Sequence, residues 1–193
     1  MYAVLVAPPA TEPITLAEAK AHCRVTHSAE DDLIGAYVSA ARQYAEEYTR
    51  RAFVTQTWRA TLDAFPYRSG SRLLLPRPPL LAVTEVAYTD GSGVSQIVAA
   101  GSYTSIADPV APYLLPLYAA EWPTARDYTG AVRVTYTAGY GAAAAVPEAI
   151  KSAIRLMVAH FSANREAVVT GTISTMPMAV EALLGPYRVR VAA

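Results

Sequence analysis

The sequence has one cysteine, no excess of charge of either sign and no long apolar run. Cys23 is the only cysteine among 193 residues, so an internal disulfide is excluded and a reducing compartment is expected. Lysine and arginine together number 16, as do aspartate and glutamate, and the formal net charge is zero. This balance argues against a protein whose main task is to coat nucleic acid, because such proteins carry a basic excess. It also leaves little repulsion between copies of the chain, which favours self-association.

The apolar N-terminus lacks the features of a targeting signal. Residues 1–7 contain no basic residue, and Pro8 and Pro9 end the apolar run short of a signal-peptide core. No uninterrupted apolar stretch approaches the roughly 18 residues of a membrane span. We therefore expect a soluble, intracellular protein.

The sequence does contain enough apolar residues for a buried core. Hydrophobic residues make up 53% and charged residues 17% of the chain, which rules out wholesale disorder. The predicted fold class is α+β, with two N-terminal helices, a third long helix and a short C-terminal helix forming a helical core. An antiparallel β-rich block at 54–140 is predicted as an insertion within a single domain that covers 1–193.

Two helices are predicted near the N-terminus. Thr15 and Glu18 have the spacing of a capping box, which predicts a short helix through about Cys23. A second helix is predicted from Ser28 to about Arg51, because apolar residues recur there at steps of three and four and form one face.

Two further helices are predicted near the C-terminus. Pro147 is expected at the first position of a long amphipathic helix that ends near Asn164. A polar, β-branched connector at 167–177 separates it from a short helix at 178–184. The dipeptide Gly185-Pro186 predicts the end of that helix, with glycine in a left-handed cap and proline preventing continuation.

The middle of the chain is predicted to be rich in β-strands. Residues 55–64 and 132–137 alternate between apolar and polar side chains, as half-buried strands do. The sequence Asp-Gly-Ser-Gly at 90–93 predicts a reversal between two strands. The remaining predicted strands are 72–75, 83–89 and 94–104, and a long, partly packed loop is predicted at 106–128.

His22, Cys23 and His27 lie close enough in sequence to suggest a zinc site, with His160 or a carboxylate as a fourth ligand. However, adjacent residues of a helix point about 100° apart, so His22 and Cys23 do not converge naturally on one ion. The alternative is an ordinary helix end with a buried thiol. We favour that alternative and expect no metal ion and no cofactor.

The sequence contains no convincing set of catalytic groups. Ser92 lies in a predicted turn and not in a nucleophile elbow, and His160 lies within a long helix, where a structural histidine is the commoner case. The acidic pair Glu46-Glu47 and the acidic run at 30–32 are better explained by solvated helix faces and by the helix dipole. Phosphate-binding glycine motifs are absent from the sequence. We therefore expect a protein that is not an enzyme and has no catalytic residues.

Tyrosine and the C-terminal tail provide the candidates for contact surfaces. There are 13 tyrosines, a residue type enriched in interfaces, although Tyr88, Tyr103 and Tyr136 also suit strands. The tail from Tyr187 to Val191 alternates in polarity after a firm helix stop and has no obvious strand partner. It is interpreted either as a segment that docks on a partner or as a frayed terminus.

These segments, in their order and in their local sequences, resemble those of the head–tail adaptor (connector) proteins of long-tailed bacteriophages and gene transfer agents. The resemblance covers nearly the whole chain. Each matching segment is weak alone, but the set is specific in this order and spacing. The segments are ITLAEAK at 14–20, EDDLI at 30–34, ARQYAE at 41–46, TQTW at 55–58, LPRPPL at 75–80, VTYTAGY at 134–140, VPEAIK at 146–151 and LLGPYR at 183–188.

The resemblance implies a structural protein at the head–tail junction of a virion or phage-like particle, made in the bacterial cytoplasm. Such proteins form a ring, usually twelvefold, beneath the capsid portal, and such a ring needs head-to-tail contacts that close by rotation. The expected partners are other copies, the portal protein and a tail-side neck or stopper protein, while DNA passes through the lumen without sequence-specific contact. The resemblance also makes 185–193 a docking tail for the portal. The residues expected to make this contact are Leu184, Tyr187, Arg188, Val189, Arg190 and Val191.

Two other functions stay open at this stage. A neck or tail-completion protein would form a ring one layer further down the particle. A small ligand-binding or enzymatic domain would hold its site under the 106–128 loop, because long loops often carry function.

Overall fold

The computed structural model describes residues 1–66, 72–118, 120–164 and 178–190. The chain forms two compact units. A β unit consists of Met1–Ala10 and Thr55–Gly141, and a helical unit consists of Thr11–Val54 and Ala142–Ala193. Helices together with antiparallel sheets confirm the predicted α+β fold class. The predicted connector at 167–177 lies outside the described residues.

The described residues of the helical unit form four α-helices, which are α1 (Leu16–Cys23), α2 (Asp31–Thr49), α3 (Glu148–Ala163) and α4 (Met178–Leu184). Helix α3 contacts each of the other three helices. Burial of the apolar stripes of α2 and α3 stabilises this unit, at about 25 cal/mol per Å² of apolar surface removed from water. The buried core includes Ile14, Ala19, Ile34, Val38, Ile150, Ile154, Met157, Val180 and Leu184.

The predicted capping box at the start of α1 is present. The Glu18 backbone N–H donates to Thr15 Oγ1 at 3.1 Å, and the Thr15 backbone N–H donates to Glu18 Oε2 at 2.6 Å. This backbone hydrogen bond is the main reason why the pKa of Glu18 is lowered, and the Thr15 hydroxyl adds to the effect. Helix α2 begins later than Ser28, because the Asp31 N–H donates to the Ser28 carbonyl oxygen in a preceding turn.

In the part of the β unit that the structure describes, eight strands form two antiparallel sheets. A five-stranded sheet has the order β1-β2-β8-β4-β5, and a three-stranded sheet has the order β3-β7-β6. The strands are β1 (Tyr2–Ala7), β2 (Gln56–Leu62), β3 (Leu73–Leu74), β4 (Leu80–Thr89), β5 (Ser95–Ile97), β6 (Tyr103–Ile106), β7 (Tyr113–Pro116) and β8 (Val132–Ala138).

The reversal at 90–93 forms as predicted, but the strand after it does not. Asp90 Oδ1 accepts the N–H groups of Ser92 and Val94, and Gly93 adopts a φ of 85° that favours glycine. The predicted strand at 94–104 is instead divided between β5, which pairs with β4, and β6, which belongs to the other sheet. The predicted loop at 106–128 is also wrong in part, because β7 lies inside it and pairs with β3 and β6.

Aromatic side chains fill much of the interior of the β unit. Tyr136 is fully buried, and its hydroxyl donates to the Pro76 carbonyl oxygen at 2.7 Å. Burial is the main cause of the raised pKa of Tyr136. Phe65 stacks on Trp122 with ring centroids 5.0 Å apart. Tyr88 meets Phe65 edge-on, and Tyr103 contacts Trp122, so all three tyrosines singled out in the sequence contact residues of the β unit itself.

Candidate assembly surfaces

The C-terminal segment, defined here as residues 184–190, follows α4 without the predicted left-handed cap. Leu184 keeps right-handed helical dihedrals, and Gly185–Tyr187 form a turn of 3-10 helix. Gly185 does not have a positive φ. The predicted end of α4 at Leu184 is confirmed, but the mechanism predicted for Gly185 is wrong. A tightened final turn satisfies the last carbonyl groups of a helix without any left-handed residue.

The six residues expected to contact the portal differ in their exposure. Leu184 and Val189 are buried, with 0% and 8% exposure, so their side chains pack inside the helical unit. Tyr187 is half-buried, whereas Arg188 and Arg190 are exposed. Val191 lies outside the described residues. Among the described members of this set, the two arginines are the most accessible to a partner.

The C-terminal segment, for which the sequence offered no obvious strand partner, is attached to the end of α2. The Val189 N–H donates to the Thr49 carbonyl oxygen at 2.9 Å. Arg51 Nε donates to the Tyr187 carbonyl oxygen at 2.6 Å. The Arg188 guanidinium lies 5.1 Å from the centre of the Tyr48 ring. The last carbonyl groups of a helix lack partners within it, and the segment supplies one.

A buried charge network lies earlier in α2, before the contact at Thr49. Arg42 Nε contacts Glu12 Oε2 at 2.7 Å, and Arg42 Nη1 contacts Glu46 Oε2 at 2.8 Å. Glu46 Oε1 accepts the Phe53 N–H at 2.8 Å, and Ser39 Oγ donates to Glu12 Oε1 at 2.7 Å. Burial opposes the charge of Arg42, but the hydrogen bond to Glu12 and the charge of Glu46 outweigh it and raise the arginine pKa.

The prediction that Glu46 lies on a solvated helix face is therefore wrong, because its exposure is 6%. The spacing of Arg42 and Glu46 could have indicated the pair, since residues four apart are neighbours on a helix surface. The contact from Glu12 gave no such signal, because that residue lies outside the helices and 30 positions before Arg42.

Strand β1 forms an apolar edge of the five-stranded sheet. Five of its six residues are exposed, whereas the facing strand β2 buries most of its side chains. The first charged residue of the chain is Glu12, so β1 carries no charged side chain. Natural proteins usually protect an edge strand with charge, proline or a covering element. An uncharged and exposed edge indicates a surface that a partner covers.

The residues considered for metal binding or catalysis do not assemble into a site within the described part of the chain. No three histidine, cysteine or acidic side chains gather around one point among those residues. Cys23 is half-buried and not fully buried as expected, and burial raises the pKa of its thiol. Asp31 forms an ion pair with Lys20 at 2.5 Å. Within the described ranges, no helix is long and apolar enough to cross a membrane.

Comparisons show similarity to proteins of phages and phage-like particles. Residues 13–90 match the family described as phage gp6-like head-tail connector protein. Comparison with curated protein sequences found no match.

Three solved structures of gene transfer agent particles contain chains similar to this one, and each alignment covers 100% of this chain and 98% of the other. The first is the neck of an empty particle computed with C6 symmetry, at 27% identity and a TM-score of 0.82. The second is the virion of a native particle, at 28% identity and a TM-score of 0.82. The third is the neck of a native particle computed with C12 symmetry, at 26% identity and a TM-score of 0.79.

Proposed function

We propose that this chain, which matches the head–tail connector family over residues 13–90 and resembles chains of gene transfer agent necks over its whole length, is the structural adaptor beneath the capsid portal. The single observation that carries the proposal is the full-length likeness to chains in the necks of gene transfer agent particles. A similarity confined to one of the two units would support a common fold of that unit and not a common function of the whole chain. The adaptor role is mechanical and requires no catalytic group.

The adaptor acts as a closed ring of identical copies. The C12 symmetry of one matched neck supports a twelvefold ring. A ring of this kind uses two different surfaces of each copy, one for each neighbour, and closes by rotation. The zero net charge of the chain is compatible with close packing of many copies, because they do not repel one another strongly.

The C-terminal segment provides the contact to the portal protein. Leu184 and Val189 hold the segment to its own unit, and the exposed Arg188 and Arg190 face outward for recognition. Arginine is favoured at interfaces because its planar guanidinium makes several directed hydrogen bonds. In this arrangement Leu184 and Val189 support the contact indirectly by positioning the two arginines.

The ring continues the DNA channel from the portal and offers its other side to a tail-side neck or stopper protein. DNA passes through without sequence-specific contact. The balance of 16 basic and 16 acidic residues fits this role, because a strongly basic lumen would retain the DNA by releasing its counterions.

Portal binding is the experiment that tests this function. The purified chain is titrated onto the portal protein of the same particle, and the affinity is compared with that of the double variant Arg188→Ala, Arg190→Ala. We expect the double variant to bind at least tenfold more weakly, a loss of about 1.4 kcal/mol or more. Its stability should fall by no more than about 1 kcal/mol, because the only polar or ring contact of either side chain within the described part of the chain is that of the exposed Arg188 with the Tyr48 ring.

The matched control is Arg59→Ala, an exposed arginine on β2 in the other unit, and it should bind the portal like wild type. Equal affinity of the double variant would remove the C-terminal segment from the interface. A wild-type chain that does not bind the portal would contradict the adaptor function itself.

A further inference from the structure

The two edges of the five-stranded sheet carry exposed apolar residues. At the β1 edge, Tyr2 is 59% exposed, and Val4, Leu5 and Val6 are exposed as well. At the opposite edge, β5 is exposed along its whole length and Ile97 reaches 68%. Between the edges, the exposed face of the sheet is largely polar, with Arg59, Thr135 and Glu85 in one row.

The register of the strands connects Tyr2 at one edge of the sheet to Ile97 at the other through one row of directly paired residues. Tyr2 pairs with Thr61, Thr61 with Arg133, Arg133 with Ala87, and Ala87 with Ile97. Directly opposed residues point to the same face of a sheet. One row therefore crosses the entire sheet and ends on an exposed apolar side chain at each edge.

Strands β1 and β5 also run in the same direction, because four antiparallel pairings separate them. A rotation that places the β5 edge of one copy beside the β1 edge of the next would join the two strands in parallel. The same operation can be repeated around a ring, since each copy presents one edge of each kind. This is the pair of non-identical surfaces that a closed ring uses.

We propose that neighbouring copies of this chain join edge to edge, with β1 of one copy lying beside β5 of the next. The inference rests on the ring proposed above and identifies the surface that forms it. A second copy is the occupant that fits, because both edge strands lack charged side chains and the β5 edge of the same molecule exposes Ile97, with Val94 exposed just before it. Joining the edges also covers main-chain hydrogen-bonding groups that an open edge leaves to solvent.

A cross-linking experiment tests this arrangement. Cysteines replace Tyr2 and Ile97 in a Cys23→Ser background, rings are assembled alone or on the portal, and copper–phenanthroline oxidises thiol pairs to disulfides. The double variant should give a ladder of covalent oligomers in a denaturing gel, because each copy can link to two neighbours. Each single variant should stay monomeric, and a mixture of the two single variants should give dimers and nothing larger.

The control double variant, Tyr2→Cys with Thr135→Cys, places the second thiol on the central strand β8 and should give no ladder. Assembly of Val4→Lys is a second measurement. We expect this variant to remain a folded monomer under conditions in which wild type forms rings, because lysine on an edge strand opposes pairing.

The outcomes separate the two proposals. Wild-type rings whose Tyr2→Cys, Ile97→Cys variant assembles but yields no ladder would overturn the edge-to-edge contact and leave the adaptor function standing. Rings that form normally from Val4→Lys would overturn it too. A wild-type chain that never forms a ring, alone or on the portal, would overturn both.

Discussion

Glu46 shows how a single residue can matter more than its sequence context suggests. Its carboxylate bridges the Arg42 guanidinium on the preceding turn and the Phe53 N–H beyond the end of the helix. Both partners are buried. Removing one member of a buried ion pair leaves the other uncompensated, which costs more than the pair itself contributes.

We expect Glu46→Ala to lower the free energy of unfolding of the helical unit by about 3 kcal/mol. Urea titration followed by circular dichroism of the helices measures the loss. The matched control is Gln43→Ala on the exposed face of the same helix, which should stay within about 0.5 kcal/mol of wild type. Equal stability of both variants would show that the network does not stabilise the unit.

At the scale of residues, the sequence correctly predicted the contact between two neighbours in the chain. The Thr15 and Glu18 capping box lies within one turn and was identified correctly. Glu46 was assigned to a solvated face because it neighbours another glutamate, and its contacts to Phe53 and to Arg42 with Glu12 depend on how the chain folds back. A charge is buried only where such partners gather. The spacing of four residues could have indicated Arg42, but it gave no sign of Glu12 or of the Phe53 N–H.

At the scale of elements, long periodic patterns were predicted better than strand partners. Helix α4 has the predicted bounds, and α1 ends at Cys23 as expected. Strand β1 was missed, because its run of apolar residues does not alternate and its partner β2 begins at Gln56. The strand predicted at 94–104 was divided for a related reason, since sheet membership depends on distant partners and not on local propensity.

The cap of α1 makes this element sensitive to pH. The pKa of Glu18 is lowered in the folded protein, chiefly by the Thr15 N–H, so the carboxylate stabilises the fold above its unfolded pKa. This contribution is lost as the pH falls through the folded pKa. We expect the difference in unfolding free energy between wild type and Glu18→Gln to be largest near neutral pH and to shrink as the pH falls below the ordinary pKa of a glutamate carboxyl.

Urea titrations across this pH range measure the effect. The control is Gln43→Ala on the exposed face of α2, which removes no titratable group, so its effect on the unfolding free energy should not vary with pH. A constant difference between wild type and Glu18→Gln at every pH would show that the charge of Glu18 does not contribute to the cap.

At the scale of the whole molecule, the division between helical ends and a β-rich middle was visible in the sequence. The β unit takes Thr55–Gly141 from the middle of the chain, and it also takes Met1–Ala10. That addition could not be predicted locally, because Tyr2 pairs with Thr61 across the whole N-terminal helical segment. The same strand carries the apolar edge through which we propose that copies meet.

The contacts of the C-terminal segment, like those of β1, could not be predicted from the local sequence. Its alternation suggested a free strand, whereas the Val189 N–H pairs with the Thr49 carbonyl oxygen in the folded unit. Packing of Leu184 and Val189 fixes the segment, and the exposed arginines beside them remain available. Alternation in a sequence therefore indicated which side chains are buried without indicating what buries them.

Native mass spectrometry of the chain, alone and with its portal protein, tests the central claim most directly. The adaptor function predicts a closed ring of identical copies, free or formed only on the portal, with the twelvefold symmetry of the matched neck. A chain that stays monomeric and is indifferent to the portal would contradict it.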